Sequence, residues 1–294
     1  MNGHPLDEIA RAACEAVELD ATGLTPIKVA ENGIYRLPAH QIVARIAKPG
    51  QRSPAERELR IAEWLRASNV PAVEPADIPT TFVMVDDHPV TFWAELPEHR
   101  GGTATEIAGA LRALHKLEAP PILGQVDPFV RLDQRIDAAH TLSADDREWM
   151  RHHLTELRDR WDQRPEGLAW TPIHGDAWEG NVVTTNAGTT LFIDLERVSI
   201  GPPEWDLTST AIKHSSFGWI DRDLNDEFAR AYGYDITTWV GFTLLRDIRE
   251  MRMTCMAAQA AGQQPELTEQ AQLRLDCLRG HRGSRPWTGW EAIP

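Results

Sequence analysis

The chain has 294 residues and a formal net charge of −14 at pH 7, from 30 Lys and Arg against 44 Asp and Glu. A protein this acidic lacks the positive surface that binds phosphate backbones, so the composition argues against a nucleic-acid partner. Apolar residues make up 42% of the chain and support a sizeable core, but no apolar run is long enough to cross a membrane. The three cysteines are far apart and form neither a disulfide framework nor a zinc site. We therefore expect a reduced, cytoplasmic protein without a membrane partner.

Residues 1–96 are predicted to form a small α+β lobe. Apolar residues recur at helical spacing over residues 6–17 and predict an amphipathic helix. A second helix is predicted to begin at Ser53, because Ser at the cap, Pro54 at the first helical position and Glu56 three residues after the cap are typical of a helix start. Short β-like runs predict five strands, at residues 27–29, 33–37, 41–46, 81–85 and 90–95.

A short polar connector at residues 97–102 is predicted to be the hinge to a second lobe, which spans residues 103–294. Thr103 followed by Glu106 is a capping-box pattern and predicts the first helix of this lobe. A β-rich island covers residues 172–194 and interrupts an otherwise helical lobe. The other predicted helices lie at residues 143–161, 204–216, 220–232, 237–262 and 266–280. A cleft between two unequal lobes is a favoured place for a ligand.

The β-rich island carries four polar residues where its strands and loops meet. His174 and Asp176 follow the first strand of the island. Asn181 and Asp194 stand at the ends of two later strands, which a hairpin would bring side by side. Carboxylate and amide oxygens suit Mg²⁺, and phosphoryl transfer needs such an ion to neutralise phosphates and a carboxylate to orient the attacking hydroxyl. Singly, each of these residues is equally well explained as a turn residue, so the prediction depends on all of them together.

The spacing H-G-D-x-x-x-x-N followed by I-D-x-E, with G-P-P-E-W-D-L at residues 201–207, resembles the aminoglycoside phosphotransferase and choline kinase-like family. The resemblance runs in order from Gly33 to Met253. It implies an α+β, two-lobed, protein-kinase-like fold, with a small sheet-containing N-lobe that binds the nucleotide and a larger, mostly helical C-lobe that carries catalysis and the substrate site. It also implies phosphoryl transfer from ATP with Mg²⁺ as the metal.

The same resemblance implies a role for each residue of the motif. Asp176 accepts or orients the substrate hydroxyl. Asn181 and Asp194 bind the Mg²⁺ that bridges the nucleotide phosphates. His174 belongs to the catalytic loop and braces it, and Asp206 is the expected partner of this histidine.

In this family a lysine on the third strand binds the nucleotide phosphates and pairs with a glutamate of the following helix. The matching positions here are Arg45 and Glu58. An arginine supplies the same positive charge, often through two hydrogen bonds, but it is longer and planar. The alternative is an exposed arginine at the strand edge and a solvated glutamate on the helix. The arginine in place of lysine also leaves open weakened nucleotide binding or a preference for a nucleotide other than ATP.

Three further nucleotide-site features follow from the resemblance. The adenine is expected to lie against the connector, with hydrogen bonds to the backbone near Glu95 and Leu96. The turn at residues 31–33 is expected to cover the phosphates, because the chain has no Walker P-loop and no G-x-G-x-x-G. Glu196 is expected either to bind a second metal ion or to support Asp194.

The acceptor is less clearly marked in the sequence. Asp247 and Glu250 are three residues apart on the predicted helix at 237–262, and together they would suit a cationic amino sugar. The alternative is a solvated face with Arg246 and Arg249 as neighbours. Trp290 in the C-terminal tail is expected either to stack against a sugar or to dock the tail onto the helical lobe.

More narrowly, the chain resembles an actinobacterial branch of the family whose members phosphorylate glucosamine. The implied reaction is transfer from ATP to the 6-hydroxyl of glucosamine by a monomer or weak dimer. Two alternatives stay open: an enzyme that phosphorylates aminoglycoside antibiotics, and a non-catalytic nucleotide-binding protein.

Overall fold

The computed structural model of the protein describes residues 5–29 and 32–293. Within them the five predicted strands of the N-lobe are present and form one antiparallel sheet in the order β1-β2-β3-β5-β4. Their bounds are Thr25–Val29 (β1), Gly33–Leu37 (β2), Ile42–Ile46 (β3), Phe82–Val85 (β4) and His88–Ala94 (β5). Of the turn predicted at residues 31–33, Glu31 lies outside the described residues.

The alternation of side chains along β3 decides which face of the sheet each residue meets. Ala44 and Ile46 are buried in a core that includes Ile9 of the first helix, α1 (Pro5–Ala16). Arg45 is one residue out of phase and therefore points to the opposite face, where Thr91 of β5 is its register partner. That face looks toward the C-lobe, so the strand pattern alone directs the Arg45 side chain into the interlobe cleft.

The second helix, α2, spans Arg52–Ala67, so the predicted start, with Ser53 as the cap, is wrong by two residues. Gln51 is the N-cap, and no side chain caps the helix. Ser53 and Pro54 instead occupy the second and third helical positions. The first-turn N–H groups of a helix have no intrahelical partner, so a proline fits there without losing a hydrogen bond.

The C-lobe is mostly helical, as predicted. Its helices are Ala104–Leu114 (α3), Leu132–Asp137 (α4), Ala144–Asp162 (α5), Glu204–Ser215 (α6), Arg222–Tyr232 (α7), Phe242–Ala261 (α8) and Thr268–Leu278 (α9). The capping box is confirmed: Thr103 Oγ1 accepts from the Glu106 N–H, and the Glu106 carboxylate accepts from the Thr103 N–H. Among the described residues, no helix is both long and apolar enough to span a membrane.

Short strands join the connector to the β-rich island. They are His99–Gly101 (β6), Thr171–Ile173 (β7), Val182–Thr185 (β8), Thr190–Phe192 (β9) and Ser199–Gly201 (β10). β6 pairs with β8, β8 with β9, and β10 with β7, all antiparallel. The predicted connector therefore contains a strand that is bound to the catalytic lobe.

The loop that follows β7 is held by a carboxylate at the start of α6. Asp206 is fully buried, and its two oxygens accept from the His174 N–H at 2.7 Å and the Gly175 N–H at 2.8 Å. His115, at the end of α3, lies 3.0 Å from the same carboxylate. Gly175 has φ +84°, and an added Cβ would lie 2.6 Å from the Arg197 carbonyl oxygen, so only glycine fits.

The C-terminal tail packs on the helical lobe. Trp290 is only 3% exposed and stacks on Phe217 at 4.5 Å and on Trp287 at 5.7 Å between ring centroids. The Arg274 guanidinium lies 4.9 Å from the Trp290 ring centroid. The structure thus contradicts the expected role of Trp290 as a sugar platform, because the ring is covered by protein.

Replacing Trp290 with alanine is expected to destabilise the protein by about 3–5 kcal/mol, since it empties a packed aromatic cluster. The free energy of unfolding in urea measures this loss. Trp178→Ala is the matched control, because the Trp178 side chain is 43% exposed and its loss should cost well under half as much. Unchanged stability of the Trp290 variant would show that the tail is not held by this ring.

Asp206→Asn is expected to destabilise the fold by about 2–4 kcal/mol at pH 7, because a buried carboxylate with three donors is replaced by a neutral amide. Burial alone would raise the pKa of Asp206, but the hydrogen bond and charge of His115, with His174, lower it below its usual 3.8. The carboxylate therefore stabilises the fold above about pH 4 and loses this effect as the pH falls further. Urea unfolding between pH 3 and 7 should show a steeper acid loss for the wild type than for the variant.

Candidate active site

The side chain of His174 joins the catalytic loop to the neighbouring strand end. Nδ1 accepts from the Asp176 N–H at 3.3 Å, which assigns the proton to Nε2, and Nε2 donates to the Ile193 carbonyl at 3.0 Å. The ring is fully buried and stacks on Phe192. The expected partner, Asp206, meets only the backbone N–H of His174. A side chain that solvent does not reach cannot touch a substrate, so His174 is a positioning residue and not a catalytic one.

Asn181 and Asp194 lie side by side, as the hairpin pattern predicts. The Ile193 N–H donates to the Asn181 carbonyl at 2.9 Å and ties the start of β8 to the chain beyond β9. Asn181 Nδ2 donates to the Asp176 carbonyl oxygen at 3.0 Å and to Asp176 Oδ2 at 3.3 Å. This leaves the Asn181 amide oxygen as a neutral oxygen ligand. The carboxylates of Asp176 and Asp194 are 45% and 47% exposed and face the cleft.

Asp194 has a backbone conformation that few residues adopt. Its φ is 55° and its ψ is 69°, in the left-handed region, immediately before the 3₁₀ turn Leu195–Arg197. Asp tolerates this region better than most residues, and such conformations are common at functional sites.

The predicted pair of Arg45 and Glu58 forms an ion pair across the N-lobe. Arg45 Nη1 donates to both carboxylate oxygens of Glu58, at 2.5 and 2.7 Å. The other terminal nitrogen, Nη2, lies 4.0 Å from Asp194 Oδ1 and 3.8 Å from Glu196 Oε2. Burial would lower the pKa of Arg45, but the three carboxylates together raise it, so the guanidinium stays charged.

A cavity of about 300 Å³ opens at this ion pair and is lined by both lobes. Its charged lining residues are Arg45, Lys48, Glu58, Arg131 and Glu196. Three of these are cations. A concave surface of this kind, with a strand arginine at its centre, suits the phosphate groups of a nucleotide.

Glu196 lies among arginines. Its carboxylate is 3.5 Å from Arg131, 3.8 Å from Arg45 and 4.0 Å from Arg197. The structure shows no contact of Glu196 that supports the Asp194 side chain within the described residues. These arginines also compete with any metal ion for its oxygens.

The donor set fits a Mg²⁺ ion that is held partly by phosphates. No group of three or more His, Cys, Asp and Glu side chains is placed to hold a metal within the described ranges 5–29 and 32–293. The Asn181 amide oxygen and the Asp194 carboxylate are oxygen groups that could hold such an ion. Mg²⁺ commonly takes one or two protein ligands and completes its shell with phosphates and water.

The backbone N–H at the start of the connector is already used within the N-lobe sheet. The Glu95 N–H donates to the Gln41 carbonyl at 2.8 Å, and the Glu95 side chain pairs with Arg36 at 2.6 Å. The Glu95 N–H is therefore not free to bond a base. Leu96 follows at the point where the chain leaves β5.

The acidic pair on α8 is neutralised by arginines, one of which the sequence did not identify. Arg285 of the tail donates to both oxygens of fully buried Glu250, at 2.8 and 2.5 Å, and lies 3.4 Å from Asp247. Asp247 also pairs with Arg160 and Arg246, each at 3.1 Å. The two carboxylates lie together as predicted, but the structure places them neither on a solvated face nor open to a cationic substrate.

Arg249 is not on a solvated face, as one alternative expected, but is buried beside the catalytic loop. Its Nη1 lies 3.4 Å from Asp176 Oδ1, and Nη2 donates to the carbonyl oxygens of Gly175 and Trp205, both at 3.1 Å. The guanidinium stacks on the Trp205 ring at 4.2 Å. Burial lowers the pKa of Arg249, against the opposing charges of Asp176 and Asp206. One signal was present in the sequence: Arg249 follows buried Leu245 by four residues, on the core face of α8.

Solved structures share this fold at low sequence identity. A choline/ethanolamine kinase family protein from Mesorhizobium loti is 18% identical, with 95% of each chain covered and a TM-score of 0.66. Amicoumacin kinase hAmiN, in complex with AMP-PNP, Ca²⁺ and Ami, is 11% identical with a TM-score of 0.69, covering 93% of this chain and 94% of that one. Aminoglycoside phosphotransferase APH(3'')-Id from Streptomyces rimosus is 19% identical with a TM-score of 0.61, covering 82% of this chain and 98% of that one.

No curated protein matches the sequence of this chain. The family model described as the phosphotransferase enzyme family, APH, matches residues 24–276 and so covers both lobes and the whole of the cleft. The α+β, two-lobed, protein-kinase-like fold is thereby confirmed. The chain belongs to the APH phosphotransferase family.

Proposed function

We propose that this protein is an ATP-dependent kinase that transfers the γ-phosphoryl group to a hydroxyl of a small molecule. One observation carries the proposal: Asn181 bonds Asp176 and is tied through Ile193 to the chain at Asp194, and Asp194 lies 4.0 Å from the arginine of the Arg45–Glu58 ion pair. A carboxylate for the hydroxyl, oxygen ligands for a metal and a cation for phosphates are the parts that phosphoryl transfer needs.

Asp176 is the residue that meets the acceptor. Its carboxylate is half exposed, and Asn181 and Arg249 hold it from two sides, at 3.3 and 3.4 Å. It accepts a hydrogen bond from the substrate hydroxyl and directs the oxygen lone pair toward the phosphorus. Asn181 and Asp194 hold the Mg²⁺, which neutralises charge on the phosphate oxygens when it is bound.

Arg45 is proposed to contact the α- and β-phosphates through its Nη2 edge, since Nη1 is occupied by Glu58. The solved amicoumacin kinase, with its AMP-PNP and Ca²⁺, supports a nucleotide and a divalent ion in this fold. The Glu95 carbonyl, and the backbone of Leu96, are proposed to receive the adenine.

Glucosamine is the acceptor that the sequence favours, and an aminoglycoside is the alternative. The similar structures include a choline kinase and aminoglycoside phosphotransferases. Their names state different acceptors, so the similarity does not favour one acceptor over another. The Asp247–Glu250 pair supports either one only if the substrate amine displaces Arg285, because that guanidinium already bonds both carboxylates. The acceptor therefore has to be decided by assay.

The assay is ADP release from Mg·ATP with glucosamine, glucose, N-acetylglucosamine, kanamycin, choline, homoserine, D-glycerate and sn-glycerol 3-phosphate. We expect turnover with at least one acceptor, and Asp176→Asn should lower kcat by about 10²–10⁴-fold, because the hydroxyl loses its base. Nucleotide affinity should not change. Asp87→Asn, in the β4–β5 turn far from the cleft, is the matched control and should behave as wild type.

Normal turnover by Asp176→Asn would overturn the catalytic assignment. Turnover on glucosamine but not on N-acetylglucosamine would show that the site requires a free amine. Turnover on kanamycin alone would identify a resistance enzyme. Binding of Mg·ATP without ADP release on any acceptor would favour the non-catalytic alternative.

Arg45→Met should raise KM for ATP and lower kcat/KM by about 10²–10³-fold, since the phosphates lose their cation and Glu58 is left buried without a partner. Arg45→Lys should lower kcat/KM by only about ten-fold, because it keeps the charge but not the planar fork. Steady-state kinetics in ATP measure both. Arg52→Met is the control, since the Arg52 side chain is 65% exposed on the same lobe. A wild-type KM for ATP in Arg45→Met would exclude the phosphate contact.

A further inference from the structure

A second cavity, of about 180 Å³, lies beside the catalytic loop. Gly175, the residue before Asp176, lines it, and Glu196 lines both this cavity and the first one. Its charged lining residues are Arg57, Arg197 and Arg252, with the carboxylates of Asp127 and Glu196. It is therefore a small chamber next to the proposed acceptor base, with more positive than negative groups.

Two of the three arginines are bonded to carbonyl oxygens and not to carboxylates. Arg252 is 9% exposed, and its Nη1 donates to the Pro128 carbonyl at 2.6 Å. Arg57 donates to the carbonyl oxygens of Glu196 and Val198. Over the described ranges, no carboxylate lies within 4.0 Å of the guanidinium of either residue. Carbonyl oxygens satisfy the N–H groups, so neither guanidinium has a counterion in contact within the described part of the chain; Glu58 and Glu196 act on Arg57, and Asp176 acts on Arg252, only from beyond 4.0 Å.

The carboxylates of the lining do not supply that counterion. Glu196 is shared among three arginines, two of which belong to the first cavity. Asp127 accepts from the Phe129 N–H at 2.8 Å and turns one oxygen into its own loop. Burial, together with the charges of Arg249 and Arg197, lowers the pKa of Arg252 to about 9. A buried charge without a counterion destabilises a fold, and an anionic ligand would recover that energy.

We propose that this cavity binds an anionic group of the acceptor, either a carboxylate or a phosphate, so that the substrate is an anionic alcohol and not an amino sugar. The inference rests on the proposed kinase function. The cavity has room for a charged group, and Gly175 in its lining is the residue before Asp176, so an acceptor anchored there extends its hydroxyl past Gly175 toward Asp176. The guanidinium groups of Arg57 and Arg252 supply the N–H donors that carboxylate or phosphate oxygens bind.

The acidic pair on α8 is not open to an amine. The acidic pair that would bind an amine is already neutralised by Arg285, Arg246 and Arg160. The cation nearest to Asp176 is Arg249, whose Nη1 is 3.4 Å away. An acceptor with a negative group meets attraction at this end of the cleft, whereas an ammonium group meets arginines.

Isothermal titration calorimetry of the full-length protein saturated with Mg·AMP-PNP tests the inference. The probes are glycerol, D-glycerate and sn-glycerol 3-phosphate, which share a three-carbon alcohol and differ in charge. At least one charged probe should bind about ten-fold or more tightly than glycerol. The stronger of the two identifies a carboxylate or a phosphate as the preferred group. Saturation with the nucleotide analogue keeps the probes out of the first cavity.

Arg252→Gln should abolish the preference for the charged probe, and Arg252→Lys should keep part of it. Asp127→Asn should bind the charged probe several-fold more tightly, because one negative charge is lost while the amide oxygen still accepts from the Phe129 N–H. A misfolded variant would not show such an increase in affinity. AMP-PNP affinity should be unchanged in all three variants and reports on their folding.

Equal affinities for the three probes, no binding of either charged probe, or an Asp127→Asn variant identical to wild type would each overturn the inference. Turnover of a neutral or cationic acceptor, with no preference for a charged probe in the calorimetry, would overturn the inference but leave the kinase function intact. Charged-probe binding without ADP release on any hydroxylated acceptor would leave the anion site in place and contradict the kinase function.

Discussion

The geometry of the cleft depends on one buried carboxylate. Asp206 is fully enclosed, and a charge in that position is stable only because two backbone N–H groups and His115 bond it. The two N–H groups belong to consecutive residues, His174 and Gly175, so the carboxylate fixes the chain direction immediately before Asp176. Since Gly175 also has to adopt a positive φ against the Arg197 carbonyl, neither end of this contact tolerates a different residue.

A series of hydrogen bonds connects the Asp206 contact to the edge of the cleft that is proposed to bind the metal. The His174 imidazole bonds the Asp176 N–H on one side and the Ile193 carbonyl on the other. The Ile193 N–H in turn bonds the Asn181 carbonyl. The side chains that are proposed to meet the substrate and the ion can therefore be half exposed and still be well placed, because the groups that position them are buried.

Local patterns in the sequence predicted much of this arrangement. The capping box at Thr103 and the hairpin that joins Asn181 to Asp194 each involve residues close in sequence or in register, whereas the position of Arg45 came from the family resemblance. Charge partners were not predictable in the same way. Arg285 pairs with Glu250 across 35 residues, and Arg249 reaches Asp176 across 73. On a helix where acidic and basic residues alternate, spacing alone does not say which ones pair with each other and which turn toward another element.

The arginine in place of the family's lysine fits the electrostatics of both cavities. A lysine ammonium is a single point of charge, whereas the Arg45 fork holds Glu58 with one nitrogen and approaches Asp194 and Glu196 with the other. Glu196 is consequently attracted from the first cavity by Arg45 and Arg131 and from the second by Arg197. Because one carboxylate is divided among three cations, both cavities keep a positive excess. A pair of anionic groups, one on the nucleotide and one on the acceptor, therefore fits the charges of the cleft better than an anion facing an amine does.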